Sequence, residues 1–179
     1  MNGKRAKRTL GAFTGKRSTF KKLVSLSAAL TLSLPPQALP AQIVPDGRTG
    51  TSLTIRDNVT DVTTSTVRGA NAYNSFQTFD VYRGNVVNLH VPDSAVNLLN
   101  LVHGQTSTID GILNAYKDGR IGGNVFFANP YGFLVGASGS VNVGALSVMT
   151  PTTSFMESFF LAPGVPSESA AAMMLNLVV

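Results

Sequence analysis

Asp110, Lys117, Asp118 and Arg120 form the densest ionisable group outside the amino-terminal region. On a β-helix, carboxylates of this kind can bind metal or act as acid and base in cleaving a polysaccharide. The local sequence favours turns instead. Asp110 precedes Gly111, where it can cap its own turn, and Lys117-Asp118-Gly119 reads as a solvated corner. His90 and His103 are the only histidines, sit on different segments and lack metal-ligand spacing. Gly136-Ala-Ser-Gly139 has neither the Lys-Ser/Thr pair nor the strand-to-helix setting of a phosphate loop. The residues therefore predict no enzyme, no metal and no cofactor.

Asn124 to Gly144 carries a different kind of information, recognition through shape. β-prone pieces at 125–127, 133–135 and 141–143 are separated by only a few residues of turn chemistry. Proline fixes its own φ near −65° and drives the preceding residue out of the helical region, so Asn129-Pro130 opens a corner. Gly132 can then take a positive φ without steric cost. Such short strands on such tight corners suit a chain wound into stacked coils. Asn85, Asn88, Asn124, Asn129 and Asn142 lie beside the strands, where their amides can bond to neighbouring coils. Periodicity alone leaves a sandwich open. The asparagines and the scarcity of two-residue hairpin signals favour a solenoid.

The elements flanking this run read in the same way. Leu53 and Ile55 alternate with polar neighbours, with a turn expected at Asp57-Asn58. Val87, Leu89 and Val91 face one way after a corner at Gly84-Asn85. The segment 92–102 fits either a short helix or a strand-like return, and the return is preferred. Ser167 to Asn176 is the single segment expected to be helical, with Ser167 as its N-cap and Ala, Met and Leu as good helix formers. Phe159, Phe160 and Leu161 are expected to pack on the domain.

The formal charge of +5 divides unevenly along the chain. Eight of the fourteen basic residues lie between Lys4 and Lys22, whereas all nine acids lie at or beyond Asp46. From Gln42 onward six basic residues oppose nine acidic ones, so that part is net negative. It offers no basic stripe for phosphate, which argues against nucleic acid. Residues 1–41 read as a secretory leader with an extended basic region. Its apolar core, Leu23 to Leu34, is shorter than the roughly 20 residues a membrane span needs. Pro35-Pro36 breaks any helix, and Ala38-Leu-Pro-Ala41 places cleavage between Ala41 and Gln42. The chain has no cysteine, so its core alone must hold it after export.

Four segments carry a family resemblance. Asn129-Pro-Tyr-Gly-Phe133 resembles the Asn-Pro-Asn-Gly-Ile region in the amino-terminal secretion domain of filamentous haemagglutinins and related two-partner-secretion exoproteins, with Tyr131 for the second Asn and Phe133 for the Ile. Asn74-Ser-Phe-Gln-Thr-Phe-Asp-Val81 resembles that family's paired-aromatic segment. Ser107-Thr-Ile109-Asp110-Gly111 resembles its Ser-x-Ile-Asp-Gly segment, and Val102-His-Gly104 the Val-x-Gly before it. The family's Asn-Pro-Asn-Leu motif has no match here.

The resemblance implies an all-β fold: a right-handed, single-stranded parallel β-helix with an amino-end cap, its rungs stacked from Gln42 to Met149. It implies an incomplete secretion domain over 42–179 of a longer exoprotein, whose downstream part would contact the host surface. The implied partners are the Sec machinery and the periplasmic domains of an outer-membrane transporter, and the implied destination is the surface or surroundings of a Gram-negative cell. Asn124 and the corner from Asn129 to Phe133 are the candidate secretion motif, with Ile109, Asp110 and Gly111 as a secondary one. A carbohydrate-binding or polysaccharide-degrading secreted β-helix is the competing reading.

Overall fold

The structure is a computed structural model and describes residues 42–162 and 164–176. The expected leader, residues 1–41 with its cleavage residue Ala41, lies outside the described residues, which begin at Gln42.

The first strands form a cap. β1 (Gln42–Pro45), β2 (Thr51–Arg56), β3 (Val59–Thr64) and β4 (Val67–Arg68) precede the long β5 (Asn71–Asp80). β1 and β4 pair with β5 in antiparallel fashion, and β2 pairs with β3 likewise. The turn between β2 and β3 falls at Asp57-Asn58, with Asp57 at φ 51°. Continuous parallel stacking from Gln42 is thus corrected: before β5, only β3 pairs in parallel, with the strand above it. Among the described residues the cap's outer strand, β2, pairs on one side alone, and Ile55 is exposed despite its alternating pattern.

Beyond the cap the chain winds into a parallel β-solenoid of about three turns. β5 leads through the Gly84 corner (φ 83°) to β6 (Val86–His90). The second turn comprises β7 (Asn97–Val102), β8 (Ser107–Ile109) and β9 (Ile112–Lys117), followed by the short antiparallel β10 (Arg120–Ile121). The third comprises β11 (Asn124–Ala128), β12 (Phe133–Val135) and β13 (Ser140–Asn142), and β14 (Ala145–Met149) opens a fourth. Three parallel faces result: β5-β7-β11-β14, β3-β6-β9-β13 and β8-β12. Within segment 92–102 the residues 97–102 form β7 after a turn over 92–96, so the strand-like return that the resemblance favours is found and the short helix is not.

Successive side chains on a strand alternate in direction, so one set from each face meets inside. Val87, Leu89, Leu98, Val102, Ile109, Leu113, Val125 and Phe127 fill this interior. Phe76, Phe79, Phe127 and Phe133 form a chain of ring contacts, with centroids 5.1, 5.1 and 4.8 Å apart in turn. The paired-aromatic segment thereby meets the corner segment across two coils.

Amide ladders fix the register. Asn97 donates to Asn71 at 2.8 Å and Asn124 to Asn97 at 3.2 Å. Asn114 donates to Asn88 at 3.0 Å and Asn142 to Asn114 at 2.9 Å. Asn74 donates to the fully buried Asn100 at 3.0 Å. Asn74, Asn88, Asn97, Asn100 and Asn114 each both give and accept, so burial leaves few of their polar atoms unpaired.

After β14 the chain turns aside. α1 (Thr153–Ser158) is a helix that the sequence reading missed, N-capped by the Thr152 hydroxyl accepting from the Phe155 N–H at 3.2 Å. β15 (Phe160–Ala162) and β16 (Val165–Pro166) pair, and α2 (Glu168–Asn176) follows with Ser167 as its cap, accepting from the Ala170 N–H at 3.2 Å. This arm covers the outward side chains Tyr73, Leu99, Leu101, Phe126 and Ala128 with Met156, Phe159, Ala171 and Met174. Phe159 is fully buried and Phe160 packs beside it, but Leu161 is 75% exposed and makes no such cover. Among the described residues no helix is long and apolar enough to cross a membrane.

Candidate functional site

Asn129 sits at the end of β11, where the third coil leaves its first face. The side chain is fully buried. Its Nδ2 donates to the Gln105 carbonyl at 2.8 Å and to the Ser107 Oγ at 3.0 Å, both on the coil below. Its Oδ1 accepts from the Tyr131 N–H at 2.9 Å, the local Asx turn that Asn-Pro chemistry favours. Its backbone N–H donates to the Met149 carbonyl at 3.1 Å on the coil above. Gly132 closes the turn, donating to the Asn129 carbonyl at 3.1 Å with φ at 102°. The carbonyl of Tyr131 accepts from the Thr106 hydroxyl at 2.7 Å.

A purely superficial corner is therefore the wrong description. Asn129 is an interior clamp across three coils, Pro130 is half-buried, and Phe133 packs on the core. Tyr131, with 51% of its surface exposed, is the residue of this corner that offers a side chain to a partner. Asn124 is half-buried in its amide ladder.

The secondary motif lies at the corner between β8 and β9. Ile109 is buried in the core, and its carbonyl accepts from the Gly136 N–H at 2.9 Å. Asp110 and Gly111 both donate backbone N–H groups to the Val81 carbonyl at 2.8 Å. A β-carbon at Gly111 would strike the carbonyl oxygens of Asn85 and Tyr82, so the coils approach too closely there for any side chain. The Asp110 carboxylate lies against Gly136, where a β-carbon would collide with it. The four resembling segments thus interlock: Gly104 presses on Gln77 of the aromatic segment, and Asn129 grips Ser107.

The ionisable residues of the sequence do not converge. Lys117 is not a solvated turn residue, because its Nζ donates to the carbonyls of Pro92 at 2.9 Å and Asp93 at 2.8 Å. Asp118, at φ 52°, and Arg120 are exposed. Among the described residues no three His, Asp or Glu side chains are grouped so as to hold a metal. His90 bonds to Asp61 at 2.9 Å, and together with Asn88 it holds the Asp61 carboxyl below its ordinary pKa. His90 also stacks on Tyr116 at 5.7 Å, bordering a groove of roughly 430 Å³ with Asp93 and Asp118.

Sequence reasoning missed the second cluster. Arg48 Nη1 meets His103 Nδ1 at 3.1 Å, Arg48 Nη2 lies 3.6 Å from Glu157, and the Arg48 carbonyl accepts from the Gly164 N–H at 2.8 Å. Burial, helped by the Arg48 guanidinium, pushes the His103 pKa below its ordinary value, against the opposing pull of Asp46 and Glu157. Folded His103 stays neutral where the unfolded chain takes up a proton, so stability is lost as pH falls below about 6.5. Thermal unfolding followed from pH 7.5 to 5.5 should show a falling midpoint that His103→Gln flattens. An equal slope in both proteins would remove His103 as the cause.

With this geometry in view, comparison with known proteins is decisive. A family model described as the TPS secretion domain matches residues 41–161. The chain belongs to this family. The matched stretch takes in the cap, the three coils, α1 and the first residues of β15, and stops before α2. Membership makes the chain the secretion-targeting domain of a two-partner-secretion exoprotein, with a TpsB outer-membrane transporter as the implied partner. It implies secretion from, or display on, a Gram-negative cell. No curated protein matches the chain.

Proposed function

We propose that this TPS domain is the export module of a filamentous adhesin of the haemagglutinin type, and that it is non-catalytic. In this reading residues 1–41 are a signal peptide that engages the Sec machinery and is cut after Ala41. The domain then meets the periplasmic domains of its transporter while unfolded and coils up outside the cell. Coils add to a template in sequence, so folding outside favours forward passage. Contact with a host surface belongs to sequence beyond this domain.

The observation that carries the reading is the division of labour at the corner. In the folded domain Asn129 is buried and bonded to the neighbouring coil, whereas the Tyr131 side chain is half-exposed and makes no bond on which the corner depends. We assign Tyr131 to the transporter and Asn129 to the fold. Release of the chain should be measured in cells with and without the cognate transporter. Tyr131→Ala should lower release about tenfold or more while the purified protein unfolds as wild type does. Release without any transporter would overturn the export role, and undiminished release of the tyrosine variant would overturn the assignment of Tyr131.

The groove beside His90 and Tyr116 favours one other reading, a carbohydrate-binding β-helix. Binding of a soluble polysaccharide that disappears in Tyr116→Ala would support that alternative, and turnover lost in Asp110→Ala would support a catalytic form located at the β8–β9 corner instead.

A further inference from the structure

The export role makes no use of the groove beside His90 and Tyr116. Its wall comes from neighbouring strands of one face, with Thr63 in β3, His90 at the end of β6 and Tyr116 in β9. These strands lie inside their sheet, with β2 on one side and β13 on the other. The rim comes from two turns, Pro92-Asp93 after β6 and Asp118-Gly119 after β9.

Wall and rim are fixed from behind. His90 Nε2 bonds to the Asp61 carboxylate at 2.9 Å, and the Asn88 amide donates to the same oxygen at 3.0 Å. The His90 ring stacks on that of Tyr116 with 19° between their planes. Lys117 ties the two turns together through its bonds to the Pro92 and Asp93 carbonyls. A site already held in shape loses little freedom when it binds.

Charge selects the class of ligand. Asp93 and Asp118 line the groove, and no Lys or Arg does. The Lys117 ammonium is taken up by two carbonyls and lies 3.6 Å from Asp118, so it offers nothing to an incoming anion. Sulfate, phosphate or uronate groups would meet carboxylates with no cation to offset them. A cationic ligand would find the Asp118 charge already answered by Lys117. The remaining fit is a neutral molecule with hydroxyls to donate and an apolar face to lay on a ring. The groove's roughly 430 Å³ lies within the usual range for small-molecule sites.

We propose that this groove binds a neutral hexopyranose unit of a glycan, its C–H face on Tyr116 and its hydroxyls donating to Asp93 and Asp118. The inference rests on the carbohydrate reading of this groove and is independent of the export role.

The isotopically labelled full chain should be titrated with neutral glucose, mannose and galactose oligosaccharides while NMR follows the His90 and Tyr116 ring signals. Heparin, polygalacturonate and chitosan fragments serve as charged counterparts. The expected result is saturable shifts with a neutral oligosaccharide and none with the charged ones. Tyr116→Ala should abolish them. Asp93→Asn, at an exposed position whose backbone bond to Lys117 is kept, should weaken the affinity about tenfold, because charge-assisted hydrogen bonds are roughly twice as strong as neutral ones. Preferred binding of a charged fragment at the same rings would overturn the neutral class while leaving the carbohydrate reading intact. No saturable binding of any fragment would overturn both. Neutral binding that survives both substitutions would overturn the site.

Discussion

Phe127→Ala is expected to lower the unfolding free energy by about 3–5 kcal/mol, the usual cost of truncating a buried aromatic. Phe127 is fully buried, touches the rings of both Phe79 and Phe133, and has Val148 above it. The cavity would open between coils that cannot collapse onto it, because the amide ladders hold their spacing. Small domains have only about 5–15 kcal/mol in total, so this variant should be partly unfolded at 37 °C. Urea unfolding followed by circular dichroism would check it. A loss below about 1 kcal/mol would mean that the aromatic chain is not what joins the corner segment to the first coil.

Asn129→Ala should cost nearly as much, for a different reason. The substitution deletes three hydrogen bonds and leaves the Gln105 carbonyl, the Ser107 hydroxyl and the Tyr131 N–H to find other partners. Each net bond is worth about 0.5–1.5 kcal/mol, and a stranded buried group costs about 1–3 kcal/mol. We therefore expect a loss of about 3–5 kcal/mol on the same scale. Tyr131→Ala, at a half-exposed site, should stay within about 0.5 kcal/mol of wild type. A motif acting only as a surface signal would erase this difference, with both variants stable. The contrast separates failed folding from failed recognition, two causes that a secretion defect alone confounds.

Much of the architecture is legible in the residues, and the losses have physical causes. The β-pieces around Asn129 and the corners at Asp57-Asn58, Gly84-Asn85 and Gly132 follow from local turn chemistry, which needs no tertiary context. Asn88, Asn124 and Asn142 were recognisable as coil-bridging residues. Their partners Asn71, Asn97 and Asn114 were not singled out, although the bonded pairs recur at separations of 26, 27 and 28 residues. A search for amides at that period would have found the ladders and the number of coils together.

The antiparallel cap was harder to see. Its strands have the same composition as the coils, and pairing direction leaves little trace in side-chain type. The helix α1 is six residues long and built from Thr, Ser, Phe, Met and Glu, so propensity hardly marks it. Its Thr152 cap after Pro151 was the available signal. At the candidate site, sequence located the corner but not its inside. An asparagine before proline is a turn residue either way, and only the coil beneath reveals that its amide faces inward.

Arg48 has a consequence for timing. It belongs to the loop after β1, yet two of its four partners, Glu157 and Gly164, come from the arm more than a hundred residues later, the others being Asp46 and His103. In any process that meters the chain out amino end first, this clasp stays half-fastened until the arm has emerged. The opening segment of the fold is thus sealed by its closing one, and resistance to proteases near Arg48 becomes a late event that marks completion of the whole domain.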